Sequence, residues 1–316
     1  MQHFLDFERP IAILENKLNE LRNLDSDTGL NIAQEIGNLQ TRIQSELKQT
    51  YKKLGPWEKI QVARHPNRPK ILEIIKQLFK GFVQLAGDRN YSEDFSIIGG
   101  IGKFENQSVV IIGTEKGSTT DERIIRNFGM VRPEGYRKSI RLMQMANKFN
   151  LPLISFIDTA GAYPGKGAEE RGQAEAIARS IQSCINLEVP FISIIVGEGG
   201  SGGAIALATS NRVLMFEHAV YSVISPEGCA SILWRDSSKV KLAAESLKLT
   251  AQDLKNFGII DEIIPEPLGG AHRDIELSIN NIKTSVIYHL EKLKHLSSEE
   301  LKNERANKYL SIGTSL

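Results

Sequence analysis

Residues 190–204 read Pro190-Phe191-Ile192-Ser193-Ile194-Ile195-Val196-Gly197-Glu198-Gly199-Gly200-Ser201-Gly202-Gly203-Ala204. The first half, residues 190–196, is an apolar run of strand length. The second half is a turn in which five of seven residues, 197–203, are glycine, too many for ordinary helix–strand packing to require. A short helix is expected to begin near Gly202. Strand, glycine turn and helix in this order predict an α/β fold, in which ligands gather at the carboxyl ends of the strands. Without Cβ atoms, the backbone N–H groups can approach a ligand closely. Where the helix starts, its unpaired N–H groups carry about half a positive charge, which suits an anion. That anion is either a phosphate or an oxyanion that exists only during reaction.

A second turn of the same kind is Asp158-Thr159-Ala160-Gly161-Ala162-Tyr163-Pro164-Gly165-Lys166-Gly167, after a predicted strand at 152–158. The first turn also matches G-x-G-x-x-G from Gly197 to Gly202, with Glu217 twenty residues beyond Gly197. An NAD-dependent dehydrogenase is therefore the alternative reading. It is disfavoured because only eight residues, 204–211, separate Gly203 from the strand predicted near Arg212, a short helix for a Rossmann crossover. A P-loop fails, since Gly161–Gly167 is one residue short and lacks the Ser/Thr that would meet magnesium. Gly199-Gly200-Ser201-Gly202-Gly203 fits a nucleophile elbow, but no acid and histidine follow in the expected order. Glu169, Glu170 and Glu198 are acid–base candidates by type alone. Glu169 and Glu170 are expected to open a helix at 169–185.

Around these turns, other elements follow from periodicity. Ile11, Leu14, Leu18, Leu21 and Leu24, then Ile32, Ile36, Leu39, Ile43 and Leu47, predict a helical hairpin with a turn at 25–29. It is either a dimerisation arm or packs on its own core. Gly55-Pro56 breaks the next segment, and Pro69 opens a further helix carrying Ile71, Ile74, Ile75, Leu78 and Phe82. Residues 97–104 and 108–115 predict a β-hairpin turning at 105–107, and 213–216 a further strand. The tail, 275–309, is helical and expected to be peripheral. The division expected is 1–84 helical region, 85–270 core and 271–316 helical tail.

A formal net charge of +1 gives no general bias toward nucleic acid or an anionic membrane. The apolar runs fall far short of the roughly 18 residues of a membrane span, and Met1–Arg9 has no apolar signal core. Cys184 and Cys229, the only cysteines, lack C-x-x-C spacing and read as buried free thiols. The six scattered histidines form no His-x-x-x-His pair, so no metal is expected. The chain reads as cytoplasmic and reduced.

Motifs along nearly the whole chain carry a resemblance. They include Phe4-Leu5-Asp6-Phe7, Leu85-Ala86-Gly87-Asp88-Arg89, Gly99-Gly100-Ile101-Gly102, Arg126-Asn127-Phe128-Gly129-Met130 and Pro133-Glu134-Gly135-Tyr136-Arg137-Lys138. Both glycine turns, Gly167-Ala168-Glu169-Glu170-Arg171-Gly172, the stretch from Tyr221 to Trp234 and the stretch from Ile263 to Arg273 complete the set. Together they resemble the carboxyltransferase alpha subunits of bacterial-type acetyl-CoA carboxylases.

The resemblance implies a crotonase-like superhelix of ββα units, the ClpP/crotonase fold. It implies transfer of a carboxyl group from carboxybiotin, on a biotin carboxyl carrier protein, to acetyl-CoA, giving malonyl-CoA for fatty acid synthesis. A zinc-ribbon beta subunit in an α2β2 assembly and an ATP-using biotin carboxylase are the implied partners. Gly202, Gly203 and Ala204 would offer N–H groups to the biotin ureido oxygen. Gly161, Ala162, Gly199, Gly200 and Ser201 would shape the substrate site. The freed biotin would serve as base, which agrees with the lack of a marked side-chain base. Ala160 stands where the family commonly has proline, and residues 116–123 diverge, so no substrate role is carried to Arg123 or Arg126. A non-catalytic scaffold is the remaining alternative.

Overall fold

The computed structural model of the chain describes residues 3–23 and 29–314. Helices α1 (Arg9–Asn23) and α2 (Gly29–Lys52) pack together as the expected pair. Ile11, Leu18, Leu39, Ile43 and Leu47 are buried there with Tyr51 and with Val62 of α3 (Pro56–Ala63). Leu24 and the turn expected at 25–28 lie outside the described residues, and Gly29 already belongs to α2. Gly55-Pro56 restarts the chain as well as breaking it. Pro56 takes a first-turn position of α3, where a missing N–H costs nothing.

The helix expected from Pro69 to Phe82 is shorter. It is α4 (Ile71–Leu78), and from Phe79 the chain is extended as β1 (Phe79–Gln84). β1 pairs antiparallel with β2 (Ile97–Phe104), with a register shift between Lys80 and Val83. Phe82 is therefore a strand residue, and the sheet takes in a segment the sequence grouped with the N-terminal helices. β2 and β3 (Gln107–Thr114) form the expected hairpin, closed by Glu105-Asn106 and paired from Phe104↔Gln107 to Ile97↔Thr114.

From β3 the sheet is parallel through β4 (Leu153–Thr159), β5 (Phe191–Gly200) and β6 (Arg212–Phe216). β7 (Val220–Ser222) pairs with the last residues of β5, and β8 (Glu262–Ile264) follows β6 at the edge. Opposite faces are covered by different helices. In the hairpin, Ile98 pairs with Gly113 and Gly99 with Ile112, so Gly99 and Gly113 point to opposite sides. Gly99 lies against Leu142 of α6 (Pro133–Phe149), reached after the short α5 (Thr120–Ile125), while Gly113 lies against Ile71 of α4.

Two further expectations change. The helix expected at 169–185 is two: α7 (Lys166–Glu170) and α8 (Gln173–Ile185), parted at Gly172, whose φ of +79° suits glycine. Glu169 and Glu170 thus belong to α7, and Glu175 is the acid in the first turn of α8. After β5 come α9 (Ser201–Ala208), α10 (Pro226–Trp234), α11 (Val240–Ser246) and α12 (Ala251–Asn256).

The tail, α13 (Ile275–Leu293) and α14 (Ser298–Ser311), is not peripheral. Ile279, Ile282, Val286, Leu293 and Leu301 join the main core, because α13 covers the α4 side of the sheet. No helix among the described residues is long and apolar enough to cross a membrane.

Candidate active site

The carboxyl ends of β3, β4 and β5 converge with the start of α9. Here the sequence-based picture of 197–200 as a turn is corrected: these residues continue β5, and Gly199 and Gly200 pair with Tyr221 and Ser222. The glycines serve close approach rather than chain reversal. A Cβ on Gly197 would strike the Asp158 carboxylate, and one on Gly200 the Ala160 carbonyl. On Gly199 it would come within 2.9 Å of the Tyr221 ring, and on Gly203 within 2.7 Å of the Gly161 carbonyl carbon and 2.8 Å of the Ala162 nitrogen. The two glycine-rich segments thus form one backbone wall, bringing together Gly161, Ala162, Gly199, Gly200 and Gly203.

α9 begins at Ser201, whose φ of +52° is rare for a residue with a side chain. This bend turns the chain sharply from β5 into the helix. In the first turn, the N–H groups of Ser201, Gly202 and Gly203 have no acceptor within the helix. Ala204 occupies the fourth position, where the N–H faces the Gly200 carbonyl, one residue past the last free donor. Gly202 is half-buried and its Cβ position is open apart from Ile177 at 3.5 Å. Gly161 donates its N–H to the Thr159 hydroxyl at 3.1 Å, and its carbonyl accepts from that hydroxyl at 2.8 Å. Gly161 therefore shapes the wall rather than donating.

Beside the wall stands a charge cluster that the sequence reading did not assemble. The Lys116 ammonium lies 2.7 Å from Asp158 Oδ1 and 2.8 Å from Glu198 Oε2. Arg64 donates from Nε to Glu198 Oε1 at 2.6 Å and from a terminal nitrogen to Glu227 at 2.6 Å. Burial alone would raise the Glu198 carboxyl, but Lys116 and Arg64 outweigh it and hold it down to about 2. Burial likewise opposes the Lys116 charge, and Asp158 and Glu198 overcome it, raising the ammonium above its ordinary value. Glu198 is thus a permanently charged anchor, not the acid–base group its residue type suggested. No spacing rule could have found this cluster, since Lys116 and Glu198 lie 82 residues apart.

The remaining candidates fall elsewhere. Arg126 donates to the Phe95 carbonyl at 2.7 Å and Arg123 to that of Gly117 at 3.4 Å, both holding loops. Glu217 accepts from the Glu266 N–H at 3.4 Å, beyond β6 and away from the glycine wall a dinucleotide would need. Cys184 and Cys229 are buried, and burial pushes the Cys184 thiol up to about 12, which leaves it unreactive.

A family model described as acetyl co-enzyme A carboxylase carboxyltransferase-like matches residues 4–313. The acetyl-coenzyme A carboxylase carboxyl transferase subunit alpha of Paramagnetospirillum magneticum is 56% identical, over 98% of this chain and 98% of its own length. The subunit alpha of Rhizobium meliloti is 54% identical over the full length of both. Among solved structures, transcarboxylase 12S, with methylmalonyl-coenzyme A bound, superposes with a TM-score of 0.60 at 15% identity, covering 72% of this chain and 42% of that one. The beta subunit of P. aeruginosa geranyl-CoA carboxylase gives 0.58 at 17% identity, covering 79% and 46%. These chains are more than twice the length of the part matched, and their likeness shows the fold alone: the expected crotonase-like α/β architecture. Matched from end to end by its relatives, the chain belongs to the family of acetyl-coenzyme A carboxylase carboxyl transferase alpha subunits.

Proposed function

We propose that the chain is one half of a carboxyltransferase that moves a carboxyl group from carboxybiotin to acetyl-CoA, giving malonyl-CoA. The observation that carries this reading is the first turn of α9, where the N–H groups of Ser201, Gly202 and Gly203 lack an intrahelical acceptor and Gly203 lies against the Gly161–Ala162 backbone. Carboxylated biotin would supply the carboxyl group and, on giving it up to the acceptor, would carry negative charge on its ureido oxygen. The residues fit such a group, because the space beside Gly202 is open apart from the Ile177 side chain at 3.5 Å and the donors beside it are neutral amides.

In this reading the amides of Gly202 and Gly203 hold that oxygen, with Ser201 beside them. Fixed donors act more strongly as charge develops than before, so they lower the barrier rather than merely tightening binding. One such donor is worth about 3–4 kcal/mol. Gly161 and Ala162 close the opposite wall, and Gly199 and Gly200 keep it free of side chains. Ala204 starts the paired part of the helix and supports the donors before it.

The same reading brings partners: a zinc-ribbon beta subunit in an α2β2 enzyme, a biotin carboxyl carrier protein, and a biotin carboxylase that spends ATP. It sets the chain in the cytoplasm, where acetyl-CoA and ATP are both available. The test is carboxyl transfer after mixing with a beta subunit. Activity that requires both chains and biotin supports the reading; saturable NADH binding without carboxyl transfer contradicts it.

A further inference from the structure

The ladder between β4 and β5 is irregular where it reaches the site. Ile157 pairs with Ile195, but the next pair is Thr159 with Gly199, so β5 carries two extra residues there. A side chain fills the gap: Asp158 Oδ1 accepts the Glu198 N–H at 2.9 Å, and the missing Cβ of Gly197 makes room for it. The same oxygen meets Lys116, which also holds Glu198. Asp158 and Glu198 are two carboxylates at the ends of adjacent strands, little exposed to solvent, with the Lys116 ammonium between them.

We propose that Lys116 and Glu198 are positioning residues for carboxyl transfer: by binding Asp158 and Glu198 together, Lys116 locks the irregular end of β5 to β4 and so aims the first turn of α9. This rests on the carboxyltransferase reading above and extends it to residues that touch no substrate. Arg64, just after α3, takes the other oxygen of Glu198 and ties it to Glu227 at the start of α10. Three separate parts of the chain thereby fix one residue of the glycine motif. A fourth, the loop at 127–129, presses on Lys116: Asn127, Phe128 and Gly129 all have positive φ, and a Cβ on Gly129 would come within 2.7 Å of Lys116 Cγ.

The charged groups around the triad are accounted for. Glu115 is occupied by the N–H groups of Leu72 and Gly117 at 3.0 and 2.7 Å. Lys70, beside α4, has its ammonium disfavoured by burial and, after that, by Lys116 and Arg123, with Asp158 acting the other way. With Glu198 held down to about 2 and Lys116 raised, these two groups keep their charges near neutral pH.

The test uses the assembled enzyme, alpha with beta subunit, measuring carboxyl transfer from malonyl-CoA to free biotin against pH. For Lys116→Met the expected result is a fall in kcat of about 10²-fold, the cost of misaimed donors, with little change in KM for malonyl-CoA. Lys116→Arg should recover most of that loss. The pH profile should also change. Without the cation, one of the two facing carboxylates takes up a proton as pH falls, so the Lys116→Met enzyme regains activity toward acid, unlike the wild type.

A folded, assembled Lys116→Met enzyme with wild-type kcat overturns the proposal, as does a loss with an unaltered pH profile and no rescue by arginine. If Lys116→Met does not assemble, Glu198→Gln carries the test, since it keeps the shape and removes the charge. Lowered kcat at unchanged melting temperature supports positioning, and unchanged kcat overturns it. An inactive wild-type assembly overturns the carboxyltransferase reading and this proposal with it, whereas an active wild type beside an unaffected Lys116→Met overturns the proposal alone.

Discussion

Gly203 meets Gly161 backbone to backbone: a methyl group on Gly203 would lie 2.7 Å from the Gly161 carbonyl carbon. At that separation the backbone of α9 or of the facing segment must move. Gly203→Ala is therefore expected to cost about 1–3 kcal/mol through overpacking. Gly202→Ala places its methyl 3.5 Å from Ile177, an ordinary contact, and a helical alanine there should gain roughly 0.5–1 kcal/mol over glycine. Thermal melts of the two variants should rank Gly202→Ala well above Gly203→Ala. Equal melting temperatures would mean that the two segments are not in contact.

Tyr136 of α6 has its hydroxyl fully buried, without a hydrogen-bond partner among the described residues, 3.1 Å from where a Gly203 Cβ would sit. Burial raises its pKa, so it stays neutral. An unpaired buried hydroxyl costs about 1–3 kcal/mol, so Tyr136→Phe should stabilise the fold by around 1 kcal/mol. Urea unfolding should show a higher midpoint with the slope unchanged. A lower midpoint would reveal a partner for that hydroxyl.

Arg305 of α14 is completely buried and donates to the carbonyls of Cys184, Ile185, Leu187 and Val189 at 2.7–3.3 Å, and to Asn211 Oδ1 at 2.5 Å. It caps the carboxyl end of α8, where a cation also suits the helix dipole. Burial lowers its pKa to about 10, still leaving it charged at neutral pH. Arg305→Met strands several buried carbonyls and should destabilise the chain by about 3 kcal/mol or more. A shift in denaturation midpoint of under ~1 kcal/mol would contradict the capping role.

Where the N-terminal region meets the segment after β8, His272 stacks on His65 with ring centres 3.7 Å apart. Burial, then the neighbouring His65, Arg68 and Arg273, lowers the His272 pKa from 6.5 to about 3, against the pull of Glu266. Above pH 6.5 the ring is neutral in both folded and unfolded chains and contributes no pH dependence. Below 6.5 the unfolded chain takes up a proton that the folded chain refuses, so stability falls with pH until about 3. The slope from this group is up to about 1.4 kcal/mol per pH unit. Melts from neutral pH down to about 5 should show His272→Phe losing less stability than wild type; identical slopes would refute the assignment.

The hairpin of β2 and β3 was legible because its residues are apolar and β-prone and its turn is short. Phe82 misled because Ile71, Ile74, Ile75, Leu78 and Phe82 keep helical spacing, while pairing with β2 draws the chain from Phe79 onward into an edge strand. Residues 197–200 read as a turn since glycine weakens strands. What keeps them in β5 is tertiary: Asp158, Tyr221 and Ala160 each pack where a side chain would be. The start of α9 was legible to within a residue. The Lys116–Asp158–Glu198 triad was not, because its members come from three strand ends that only the folded sheet brings together.

A structure of the assembled enzyme with biotin bound would show the oxyanion site itself. The ureido oxygen should lie about 2.7–3.1 Å from the backbone nitrogens of Gly202 and Gly203. Biotin seated elsewhere, with those amides bonded to the protein's own carbonyls, would contradict this placement.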